Sequence, residues 1–184
     1  MATAYFPILF PQANEGYSSD WPFDEVRFLK GYAQVTSQDY NIRRWGAQFM
    51  LLDTFKTGRM KAWSISTPFE VGDYVRPSDG GNYAHMCAIA GTSGGSEPDW
   101  AETEEQTTAD GGVTWVCFLN NQITAVMNFI DRRKGRGGSS FYVWMPIISV
   151  WVRCRFPADG VKFTPVASGA YKAVYAEIEF EEFL

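Results

Sequence analysis

Hydrophobic and polar residues alternate along two separated stretches of the chain. Between them the alternation breaks into short runs divided by glycine. In residues 24–35, Val26 and Phe28 alternate before Lys30-Gly31, a turn or bulge signal. Residues 39–52 form a long strand candidate. Arg43, Trp45, Ala47, Phe49 and Leu51 are the more apolar set and are expected to face inward; Ile42, Arg44, Gly46 and Gln48 oppose them. Residues 122–134 change period: Ile123, Val126, Met127 and Ile130 fall on one helical face. Asn120 or Asn121 can cap this helix, Arg132, Arg133 and Lys134 sit at its negative end, and Gly135 can close it. Strands are expected at 141–145, 147–155, 160–165 and 171–183. The last sets Val174, Ala176, Ile178 and Phe180 against Tyr175, Glu177, Glu179 and Glu181, one buried face and one acidic face. Short links favour antiparallel pairing. The predicted class is α+β, mainly β: a sandwich or split barrel with one helix.

Residues 61–118 carry their own signals. Short strands are expected at 73–76, 83–90 and 113–118. The run 91–98 is a long turn, and Asp110-Gly111-Gly112 is a hairpin turn. Three such strands need Trp63, Trp100 and Trp115 as core. Charge separates this stretch from the rest. It holds Glu70, Asp73, Asp79, Glu97, Asp99, Glu102, Glu104, Glu105 and Asp110 against Lys61 and Arg76, a net of −7 within a chain of net −5. The expected organisation is therefore a host domain, 1–60 plus 119–184, carrying an inserted small β module, 61–118.

Composition narrows the function classes. At 46% hydrophobic and 20% charged, the chain can bury a core. Fourteen Phe, nine Tyr and seven Trp suit strands and protein interfaces. The acidic balance argues against nucleic-acid binding, and no apolar run reaches membrane-spanning length. The first ten residues lack a basic run, so no signal peptide is expected. Three widely spaced cysteines, Cys87, Cys117 and Cys154, fit reduced thiols in a protein made in cytosol.

The chemistry-bearing residues favour structure over catalysis. His85, the one histidine, sits in an alternating run with no activated serine implied. His85, Cys87 and Cys117 could begin a metal site, but a fourth ligand and a Cys-x-x-Cys pair are lacking. Glu104 and Glu105, or Glu177 and Glu179, could serve as paired acids only if burial raised one of them. No catalytic residue, cofactor or metal is expected. The basic run Arg132–Arg136 instead suits a subunit contact: Arg132, Arg133 and Arg136 of one copy against Glu177, Glu179 and Glu181 of the next. In the insert, Trp100 and Trp115 are needed as core, Tyr74 and Tyr83 are freer to be exposed, and Tyr74, Tyr83 and Trp100 are the candidate sugar-stacking surface.

Two stretches carry a family resemblance. Residues 25–34, Glu-Val-Arg-Phe-Leu-Lys-Gly-Tyr-Ala-Gln, resemble the early segment of the minor tail protein M family of lambda-like bacteriophages. The helix, Gly137-Gly138, Phe141-Tyr-Val-Trp144-Met-Pro146, the Trp151-Val-Arg-Cys strand and the acidic close at Glu181-Glu182-Phe183 are similar to its later part. The resemblance covers about 1–60 and 119–184 and implies a distal tail protein of a non-contractile (siphophage) tail. It implies a fold like the tail tube protein, a six-fold ring of copies of itself, and contacts with the tail tube protein and the tail-tip hub. The tape-measure protein and a host-surface glycan are further candidate partners. Such a protein is a non-enzymatic structural virion component at the tail tip, assembled in the host cytoplasm. Separately, Gly72-Asp73, Arg76-Pro77, Tyr83, residues 90–94, Glu97-Pro98-x-Trp100 and Asp110-Gly-x-Val-Thr-Trp115 resemble a small module of many phage tail proteins. A carbohydrate-binding tail module for adsorption to the host surface is the alternative function.

Overall fold

The computed structural model describes residues 3–7, 35–37, 40–42, 44–52, 60–133, 139–145, 149–157, 160–166 and 173–182. The protein is α+β and mainly β, with one of its sheets curled as a half-barrel. It divides into two compact units, Met1–Leu52 with Met127–Leu184, and Asp53–Val126; the stretch 61–118 lies inside the second. The elements expected at 24–34, Gly135 and residue 147 lie outside the described residues.

In the first unit the strands are β1 (Val35–Ser37), β2 (Tyr40–Ile42), β3 (Arg44–Leu52), β11 (Phe141–Met145), β12 (Val150–Arg155), β13 (Val161–Val166) and β14 (Ala173–Glu182). β1 and β2 pair as a separate two-stranded sheet. β14 pairs along nine residues with β3, from Ala173↔Leu52 to Glu181↔Arg44. Its opposite edge is divided: β13 takes Ala173–Ile178, and β12 takes Glu181 and Glu182. β11 extends the sheet beyond β12. Ala176, Ile178 and Phe180 are buried, as the alternation requires. Phe6, Phe129, Phe141, Phe156 and Phe180 form the aromatic core, with edge-to-face pairs such as Phe129–Phe141 at 5.3 Å.

The second unit is built from β4 (Met60–Ala62), β5 (Pro68–Phe69), β6 (Tyr74–Arg76), β7 (Tyr83–Ile89), β8 (Gly91–Thr92), β9 (Thr107–Asp110) and β10 (Val113–Leu119). The main sheet runs β4-β6-β7-β10-β9, and β5-β8 is a separate ribbon. Among the described residues, seven strands thus stand where three were expected. β4, β5 and β8 span only two or three residues, too few to show a period. Part of the expected 91–98 turn is strand β8, because glycine lets it lie on the 110–113 hairpin: a Cβ at Gly91 would meet Gly112 O at 2.3 Å. The core packs Phe69, Val75, Cys87, Val113 and Trp115, with Trp100 half-buried against it.

Helix α1 spans Gln122–Arg133. Asn121 is its cap: Oδ1 accepts the Thr124 amide at 2.9 Å. The buried face is Gln122, Ala125, Val126, Phe129 and Ile130, while Met127 is 42% exposed. The expected face is therefore rotated; Phe129, not Met127, is the large inward residue.

Candidate functional site

The insert concentrates the motif residues, and most of them are joined by hydrogen bonds. Asp110 ends β9 and is buried. Its Oδ2 accepts the indole N–H of Trp63 at 2.8 Å and of Trp115 at 3.1 Å; its Oδ1 accepts the Gly94 amide at 2.7 Å. One carboxylate thus ties the loops of Trp63 and Gly94 to the β9–β10 hairpin and braces Trp115 within it. The hairpin turn forms because Gly111 takes a φ of +60° and because a Cβ there would meet Thr92 O at 2.6 Å. Buried Ser93 makes a second tie: its Oγ accepts the Thr67 amide and donates to Ser64 O.

Glu97 makes the third. It accepts the Ser78 amide and hydroxyl at 2.9 and 2.6 Å, and the Trp100 indole N–H at 2.8 Å. Burial pushes its carboxyl up, but the Ser78 and Trp100 bonds outweigh this and hold it below its ordinary value. Trp100 in turn covers His85, ring centroids 4.4 Å apart. His85 is buried and its Nδ1 has no hydrogen-bond partner. Burial lowers its pKa to about 4, partly offset by Asp79. Near neutral pH the imidazole is uncharged and enclosed, poorly placed to take a proton from a substrate.

The sequence-derived binding residues separate. Tyr74, expected to be exposed, is wholly buried, its hydroxyl 3.4 Å from the Met86 sulfur. It faces inward because Tyr74 pairs with Met86 at the middle of β7, inside the sheet. Tyr83 and Trp100 are half-buried, so each keeps some surface, although the Trp100 N–H is already bonded. His85 lies opposite Cys117 across the β7–β10 ladder, with Cys87 two residues along the same strand. Among the described residues no three His, Cys, Asp or Glu side chains gather as a metal cage. Burial raises the thiols of Cys87 and Cys117 to about 12, and that of Cys154 higher still.

The proposed acidic face of β14 is not continuous. Glu179 is exposed and Glu177 half-buried, within 3.8 Å of Lys162. Glu181 is buried and bonded to Arg155 Nε at 2.5 Å. Strict alternation placed it outward, but at the end of β14 the flanking strand β12 brings Arg155 across from it. Arg133 also turns back: it donates to Phe129 O and stacks on the Phe129 ring at 3.7 Å. Arg132 is exposed; Arg136 lies outside the described residues.

Asp110, Ser93, Ser78 and Glu97 are bonding centres that no periodic pattern in the sequence singles out as such. A usable signal existed for Asp110: an acid just before Gly-Gly, near several tryptophans whose N–H groups need acceptors when buried. No protein-family model matches the chain, and no curated protein or solved structure matches it.

Proposed function

We propose that this chain is a structural, non-enzymatic protein of a phage tail tip, forming the ring that joins the tail tube to the hub of a non-contractile tail. The observation that carries the reading is the pairing of β3 with β14. β3 and β14 lie in the two parts of the chain that the resemblance covers, 1–60 and 119–184, and are strands of one sheet. The order of elements supports it too: strand, insert, helix, then Phe141-x-x-Trp144 and Trp151 as adjacent strands with Trp144 opposite Trp151. Assembly requires no chemistry at His85, which is enclosed, and leaves the exposed Ile65, Ile89, Met127 and Val150 as surface that a neighbouring subunit can cover. Sugar binding by the insert is the weaker reading, since Tyr74 is core and Trp100 is tied to Glu97.

Native mass spectrometry of the full chain tests this. A ring gives a mass six times that of the 20.7 kDa chain. Particles of the parent phage would contain the same ring between tube and hub. A monomer at every concentration, absent from purified virions, overturns the proposal.

A further inference from the structure

The segment Ala4–Phe6 lies along the outer edge of β11. Phe6 N donates to Tyr142 O at 2.8 Å, and Tyr142 N donates to Ala4 O at 2.8 Å, making a parallel bridge. Side chains alternate to two receptors. Phe6, 3% exposed, enters the phenylalanine cluster, 5.3 Å from both Phe129 and Phe180. Tyr5, on the other side, packs on Trp151 at 4.8 Å and Tyr142 at 5.9 Å. Main-chain bonds to a sheet edge plus alternate side-chain pockets are the chemistry of strand addition, here made by the chain's own arm.

We propose that this edge is an acceptor site for the Ala4–Phe6 arm of a second copy of this chain, so that arms pass from subunit to subunit. The inference rests on the ring reading above. Twenty-eight residues, 7–34, separate the arm from β1. At ~3.3 Å per residue, a link of that number of residues has a maximum length of ~90 Å. The same contacts serve an arm arriving from either chain, which makes exchange a low-cost route to assembly, and a head-to-tail exchange closes in a ring with every acceptor filled. Such a contact would supplement the charge contact expected from the sequence, of which Glu181 and Arg133 are engaged within their own subunit.

The test uses cysteine pairs, since Cys87, Cys117 and Cys154 are buried. A tagged Tyr5→Cys chain is co-expressed with an untagged Trp151→Cys chain and treated with a short bis-maleimide. Exchange gives a covalent tagged–untagged dimer; cross-linking only within single chains of the Tyr5→Cys/Trp151→Cys double variant overturns it. As a second measure, Phe6→Ala in the full chain should lower native mass from ring to monomer with far-UV circular dichroism unchanged, and should take up a synthetic peptide of residues 2–9. A Phe6→Ala ring at full yield overturns the exchange. If the parent is a ring but gives no mixed dimer, exchange fails and the ring reading stands; if the parent is a monomer, both fall.

Discussion

Removing the Asp110 carboxylate should unfold the insert at temperatures where the parent is stable. Asp110→Ala takes away the acceptor of three N–H groups. The Trp115 N–H is fully buried, so leaving it unbonded costs about 1–3 kcal/mol. Trp63 and Gly94 are half-buried and can regain water, so each loss is about 0.5–1.5 kcal/mol. The expected total is roughly 2–6 kcal/mol. For a unit the size of Asp53–Val126, that is a fall in Tm on the order of 10–40 °C. Asp110→Asn should be milder, about 1–2 kcal/mol: its one oxygen can keep both indoles, and only the Gly94 bond is replaced by an opposed N–H. Urea unfolding followed by tryptophan fluorescence, with hydrogen exchange at β7 and β10, separates the two variants. An Ala variant within about 0.5 kcal/mol of the parent, or an Asn variant equally damaged, would refute the three-bond accounting.

Acid should destabilise the insert through His85. Its folded pKa of about 4 lies below the ordinary 6.5, so the unfolded chain binds the proton first; stability is full above pH 6.5 and falls by up to about 3 kcal/mol as pH drops to 4. His85→Leu should flatten that window in pH-dependent melts, while the loss from Glu97, whose pKa is also depressed, remains below the usual carboxylate range. Gly91→Ala should unfold the insert by driving a Cβ onto Gly112 O, whereas Gly95→Ala, with nothing within 4 Å, should leave Tm unchanged. Ile130→Asp should cost about 3–5 kcal/mol by burying a charge, and Met127→Asp about 1 kcal/mol or less; equal melting curves would mean the helix faces the other way.

Long periodic segments were legible in the chain, and single-residue fates were not. The alternation of Val174, Ala176, Ile178 and Phe180 located β14 to within two residues at its start and one at its end. It also placed Glu181 outward, because alternation carries no information about which strand flanks the end. On α1, the stripes Ile123-Val126-Met127-Ile130 and Ala125-Val126-Phe129-Ile130 share two residues and fit one helical period; packing alone chooses between them. Tyr74 belongs to a three-residue strand, too short for any pattern to assign its side. The Asp110 bracket joins residues up to 47 apart, so local reading recovered only its Gly-Gly turn.

The pairing of Leu52 with Ala173 asks the folding chain to close a very long loop, and such closures are slow. The insert shortens that search. Its strands pair mostly with near neighbours, as β9 with β10 and β6 with β7, so it can collapse early. Once formed, it holds Met60 and Leu119 at opposite flanks of four adjacent strands, on the order of 15–20 Å apart. The intervening fifty-eight residues then act as a spacer of fixed length, and β3 has far less conformational space to explore before it meets β14.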